Sequence, residues 1–300
     1  MRRLLLRLVA LIIPVVGLIL ARNRSPQLPA VDERSAMCVF DPEIGWVPRP
    51  NYHGIYKGSR EFEVTQNSLG LREHEIGPKT RPRVMIIGDS HAWGYDSDQG
   101  LRYSDLLAAK HPEIEIVNAG VSGYGTDQEF LFMKRLFESV RPDAVVVIFS
   151  ELDNEDNSSD MRYGYNKPYF VGDAGGVSLA GVPVPRPLSF YAVDMPWLFS
   201  HRAVRWVIAA FADEFRRAPV VVPNPTTAIF SEMRRFLTER KVTLGVAMEA
   251  RDSTLEAFLT TDRVPWTDVV APVGAASHWT PEGHALVASR LEPMLMALLR

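Results

Sequence analysis

From Arg83 onward the chain alternates short apolar runs with longer stretches whose apolar residues recur at helical spacing. The runs Val84–Ile87, Glu115–Asn118, Ala144–Phe149, Thr243–Ala247 and Asp268–Val270 are rich in valine and isoleucine. They lack the strict apolar–polar alternation of a half-exposed strand, as expected where helices cover both faces of a sheet. Helices are predicted near Tyr103–Lys110, Asp127–Val140, Arg202–Arg216, Ala228–Glu239 and Glu282–Leu299. Strands alternating with helices predict βαβ units and a mainly parallel sheet, so residues 82–300 read as one α/β domain.

Two other stretches break this rhythm. Residues 26–81 are rich in proline, charge and turn residues and read as an irregular extension laid on the main domain. Between Glu155 and Pro187 lies a long segment with many aromatics, glycines and prolines, the composition of a lid or a binding wall. Residues 1–25 begin with Arg2, Arg3 and Arg7, continue through an apolar run from Leu8 to Ala21, and close with Arg22 and Arg24. That layout is a secretory signal or an N-terminal membrane anchor. The arginines directly after the run, and the lack of a small-x-small cleavage site, favour an anchor with the remainder exported to a periplasmic or extracellular face. Secretion after cleavage is the alternative.

Composition narrows the classes. The chain has 300 residues, 46% of them hydrophobic, and a formal net charge of -3. It shows no basic stripe with interleaved aromatics, so nucleic acid is not an expected partner. Cys38 is the only cysteine, which excludes an intrachain disulfide. The glycine-rich turns lack both a P-loop lysine–hydroxyl pair and dinucleotide spacing, so no cofactor is expected. Glu151, Asp153, Glu155 and Asp156 are read as a solvated loop cluster, and no metal is expected.

Ser90 is the sharpest candidate for chemistry. It follows the strand Val84–Ile87, between Gly88 and Gly94, where an open α/β sheet presents its reacting groups. A serine hydroxyl needs a base and oxyanion donors to act as a nucleophile. His278 offers the base: it stands just before the C-terminal helix, with Thr280 as N-cap, Pro281 at the first helical position and Glu282 in the first turn. Asp89 is expected to shape the nucleophile turn. His91 is expected to line the pocket, Trp93 to line the pocket or the core, and His284 to pack or face solvent.

These blocks resemble the SGNH/GDSL hydrolases. The resemblance covers roughly residues 40–300 and implies a three-layer α/β/α, flavodoxin-like fold with esterase or acyl-transfer activity. It rests on G-D-S-H-A-W-G, with Ser90 as the matching nucleophile, and on N-A-G-V-S-G-Y-G-T-D, in which Gly123 matches the glycine whose N–H joins that of Ser90 in the oxyanion hole. The family's third block supplies an asparagine side chain. Ungapped alignment puts Leu152 there, and a slip of one or two residues makes Asn154 the candidate, with Asn157 behind it. The family's acid before the histidine is replaced by Ala275 and Ala276. A Ser90–His278 dyad is therefore expected, with a carboxylate from elsewhere or lost catalysis as alternatives. The implied substrate is a small-molecule or glycan O-acyl ester. Transfer to a sugar hydroxyl, or glycan or acyl binding without turnover, are the competing functions.

Overall fold

The computed structural model describes residues 33–173, 176–211, 218–274 and 277–300. The apolar runs form one sheet of five strands: β1 (Arg83–Gly88), β2 (Glu115–Asn118), β3 (Ala144–Phe149), β4 (Thr243–Met248) and β5 (Trp266–Asp268). Every neighbouring pair is parallel, and the order is β2-β1-β3-β4-β5. All residues of β1 and β3 are buried, which is why their sequences show no alternation. This is the flavodoxin-like strand order, whose crevice opens at the carboxyl ends of β1 and β3, where the winding reverses. Ser90 follows β1 at that point.

Among the described residues, helices α1 (Ser90–Trp93), α2 (Tyr103–Lys110), α3 (Thr126–Val140), α4 (Asp153–Asn157), α5 (Thr226–Glu239), α6 (Ser253–Thr261) and α7 (Pro281–Leu298) accompany the sheet. On one face α2 and α7 pack together over Val84, Ile86, Val146 and Ile148, through side chains such as Leu107 and Leu291. On the other lie α3 and α5, where Phe149 meets Phe230 edge-on at 5.9 Å and Phe137 meets Phe236 at 5.3 Å. Each such side chain contributes about 1.5–3 kcal/mol when fully buried, so the two faces hold the sheet from both sides. The result is a three-layer α/β/α sandwich.

The strand at the sheet edge differs from expectation. It pairs with β4 as Val246↔Trp266 through Met248↔Asp268, earlier than the run Asp268–Val270, while Val269 stays buried just beyond the strand end. The extension is more regular than its composition suggests. Cys38–Asp41 pairs with Gly45–Pro48, and His53–Lys57 with Glu61–Thr65, as antiparallel hairpins. In the second, Phe62 and Val64 face inward and Glu61, Glu63 and Thr65 outward, an alternation hidden among charged residues. Phe62 and Val64 join Met37 around Trp93, placing Trp93 in a core cluster. Cys38 is a buried residue of the first hairpin.

The segment 155–187 also carries hairpins, Met161–Arg162 with Tyr165–Asn166 and Tyr169–Asp173 with Gly176–Ala180. Pro187–Ala218 falls in a separate unit, with helices at Leu188–Asp194, Pro196–Ser200 and Arg202–Phe211. The continuation of the expected helix to Arg216 and the expected N-terminal anchor at 1–25 lie outside the described residues. Among the described residues no helix is long and apolar enough to cross a membrane.

Candidate active site

The turn after β1 is set by close packing. Gly88 has φ +157°, and a Cβ there would stand 2.5 Å from the Ala92 Cβ and 3.0 Å from the Ile148 Cβ. Asp89 then caps α1, its Oδ1 accepting from the His91 N–H at 2.8 Å, so the carboxylate shapes the turn as expected. Gly94 ends the turn in the left-handed region, φ +81°. Buried Arg72, from the extension, donates to the Gly94 carbonyl at 2.9 Å and the Ser97 carbonyl at 2.6 Å. The extension thereby braces the loop that carries Ser90.

His278 is delivered by the helix behind it. Thr280 Oγ1 accepts from the Gly283 N–H at 3.1 Å with Pro281 at the first position, the cap foreseen from the sequence. The loop folds back on itself: Gly274 N–H donates to the His278 carbonyl at 2.8 Å, and Val273 bridges to Trp279. The imidazole stacks on Tyr95 at 4.2 Å, interplanar angle 20°. Its Nε2 lies 2.9 Å from Ser90 Oγ. Ala275 and Ala276 lie outside the described residues.

Ser90, His278 and Gly123 line one cavity of about 410 Å³. Gly123 has φ +81°, a conformation that favours glycine, and a Cβ added there would meet the Arg34 guanidinium at 2.9 Å. Asn154 is not brought to this cavity. Asp153 opens α4, which aims the Asn154 amide at Asp252 Oδ2, 2.6 Å away, while its oxygen accepts from Asn224 at 2.8 Å. Leu152 lines the cavity instead. Asn157 is structural, accepting from the Asp127 N–H at 3.0 Å and donating to Thr226 Oγ1 at 2.8 Å.

The acidic cluster is not solvated as a whole. Asp153 and Asp156 are buried, as is Glu129 of α3, while Glu151 and Glu155 are exposed. Burial first, and neighbouring carboxylates after it, push the Glu129 and Asp153 carboxyls well above their ordinary range. Asp156 is raised to about 7 by burial, although Arg162 at 2.7 Å opposes the shift. Asp127 and Lys167 form a fully buried ion pair. His284 is packed in the core, its Nδ1 accepting from the Tyr103 N–H at 3.3 Å, and burial lowers its imidazole to about 4.

The chain is similar to proteins of the GDSL type. One is a member of the lipolytic protein G-D-S-L family from Veillonella parvula, 11% identical over 72% of this chain and 99% of that one, TM-score 0.41. Another is the psychrotrophic esterase EstA from Pseudoalteromonas sp., at 10% identity over 72% and 98%, TM-score 0.42. A third is the lipase/acylhydrolase from Enterococcus faecalis, at 14% identity over 73% and 97%, TM-score 0.40. No family model and no curated protein matches the chain.

Glu249 is the residue that sequence reasoning missed. It directly follows β4, lines the cavity, and its Oε2 lies 3.0 Å from His91 Nδ1. Burial and nearby Asp89 push its carboxyl up. Burial works against the charged His91 imidazole, but Asp89 and Glu249 outweigh it and hold the ring protonated well above its ordinary range. One donor atom from each of Asp89, His91 and Glu249 falls within 4.8 Å of the others, close enough for a chelating set. The ion pair and the α1 cap account for the same arrangement without a cation. Only position after an apolar strand marks Glu249 in sequence, and that signal has no specificity. Tyr95 carried no local signal either.

Proposed function

We propose that the chain is a serine ester hydrolase acting on O-acyl esters. The observation that supports this is the 2.9 Å approach of His278 Nε2 to Ser90 Oγ on the floor of a cavity at the sheet's switch point. The Ser90 hydroxyl donates its proton to Nε2 as Oγ bonds to the acyl carbon, and the carbonyl oxygen becomes an oxyanion. The backbone N–H groups of Ser90 and Gly123 are its donors. Protonated His278 returns the proton to the leaving alcohol as the C–O bond breaks, and water then releases the acyl group by the same steps in reverse. The open cavity and the exported address inferred from residues 1–25 favour an ester of a surface glycan, the chain being held at the membrane by that segment.

A second reading, an acyl or glycan binder without turnover, is favoured by one observation: Leu152 occupies the cavity where the resemblance calls for an amide donor. Fluorophosphonate labelling of the detergent-solubilised full chain separates the two. The hydrolase reading expects labelling that vanishes in Ser90→Ala, with turnover of an acetyl ester falling at least about 10³-fold. Folded wild-type protein that takes no label and turns over no ester selects the binder.

A further inference from the structure

The residue just before His278 is held in an uncommon conformation. Ser277 has φ +59°, in the left-handed region that side chains other than glycine, asparagine and aspartate seldom adopt. Such a residue persists only where its surroundings over-determine it. Its carbonyl lies 2.9 Å from His91 Nε2, and because a carbonyl only accepts, that nitrogen carries a hydrogen. The other ring nitrogen, Nδ1, is ion-paired with Glu249 Oε2 at 3.0 Å and stands 3.8 Å from Asp89 Oδ1. The ring also packs 5.1 Å from that of His278 and 5.0 Å from that of Trp279.

Two members of this chain of contacts are fixed to the sheet. Glu249 leaves β4 with its N–H donating to the Phe149 carbonyl of β3 at 3.0 Å, and His91 sits in the turn that leaves β1. Glu249, His91 and the Ser277 carbonyl thus form a strut from the sheet to the loop beside Ser90.

We propose that Glu249 and His91 are a positioning pair that holds the Ser277–His278 loop at the distance from Ser90 that proton transfer needs. In a Ser-His-Asp triad a carboxylate touches the imidazole and fixes its orientation. Here Ala275 and Ala276 occupy the positions from which the family's acid would act. A carboxylate one residue removed, working through a second histidine and the backbone, supplies placement of the loop. This rests on the reading of His278 as the base, and its test is built to fail separately from that reading.

The test compares Glu249→Gln and His91→Phe with the wild-type full chain by two measurements. Hydrogen exchange is followed at the Gly274 amide, bonded to the His278 carbonyl at 2.8 Å, and at the Ser277 amide, bonded to the Gly274 carbonyl at 3.0 Å. Steady-state kinetics are followed on p-nitrophenyl acetate. Both variants are expected to lose protection at these two amides by at least about tenfold, with β1 and α7 unchanged, and to lose kcat by about 10²-fold at constant KM, the cost of an ångström-scale misplacement. A merely structural ion pair would instead lower protection throughout the domain and leave kcat of the folded fraction intact. Loop protection retained in both variants overturns the proposal, whatever the activity. Should His91→Phe fail to fold, the isosteric Glu249→Gln decides. Should the wild type prove inert to esters, the hydrolase reading falls, and the exchange measurement still decides the strut.

Discussion

The carboxyl ends of β1 and β3 lie side by side, with Gly88 opposite Ile148, yet their polar groups serve different ends. After β1 the polar groups face the cavity: Asp89 caps a one-turn helix and lines the cavity beside Ser90. After β3, Ser150, Glu151 and Asp156 also line the cavity, but most polar groups there are tied up in local contacts. Asp153 Oδ2 accepts from the Ser150 N–H at 3.0 Å, Asp156 pairs with Arg162, and Asn157 ties α3 to α5. The cavity position is left to Leu152, which is 42% exposed and has no donor to offer. Equivalent places on one sheet need not carry equivalent chemistry, because the amides of α4 are engaged by Asp252, Asn224, Asp127 and Thr226 rather than offered to the cavity.

Three substitutions probe this contrast. The largest effect is expected from Leu152→Asn, which offers an amide donor to the cavity. If the β3 end lacks only that group, kcat on an acetyl ester should rise by about 10²-fold, the worth of one oxyanion donor. No change would show that the backbone at Leu152 holds the position away from the reacting carbonyl. Gly88→Ala addresses the β1 end, where a Cβ would strike Ala92 and Ile148. It should destabilise the chain by about 1–3 kcal/mol in urea unfolding and slow fluorophosphonate labelling in the protein that remains folded. An unchanged midpoint would mean the turn has slack.

Glu129→Gln tests the buried acids behind α4, and its effect is the smallest. The Glu129 carboxyl is raised in the folded chain, chiefly by burial, so it stays neutral there while the unfolded chain ionises it near its ordinary pKa. Its contribution to stability is therefore lost as pH rises from the ordinary carboxylate range toward the folded pKa. Both of its carboxyl oxygens are buried without a hydrogen-bond partner. The amide should gain about 1 kcal/mol over wild type at pH 8 and little at pH 4, read from Tm. Equal curves at both pH values would show that Glu129 ionises freely.

Legibility in the sequence followed the physics of each element. Glu115–Asn118, Ala144–Phe149 and Tyr103–Lys110 appear with the boundaries their patterns imply, because each is a clean apolar run or a helix flanked by turn residues. The turn and cap chemistry around Ser90 and His278 singled out two residues that the fold brings to 2.9 Å of each other. The hairpins of the extension were not, since period-two patterning over five residues is masked when its outward positions are charged. Helix α6 had a usable signal in Asp252, whose Oδ1 accepts from both Thr254 and Leu255 N–H groups. Asn154 was misplaced because alignment across a departing block cannot show that a helix starts at Asp153. Glu249 had no local signature: only the parallel sheet, by setting β4 next to β3, carries it to His91.

Ser90 and His278 are separated by 188 residues, and they meet only when α7 docks on the sheet. At ribosomal speeds of about 5–20 residues per second, the serine is made roughly 10–40 s before the histidine. The growing chain therefore carries Ser90 without His278 beside it throughout that interval. The contact between the two side chains is thus a late product of folding, available only once α7 has closed on the sheet.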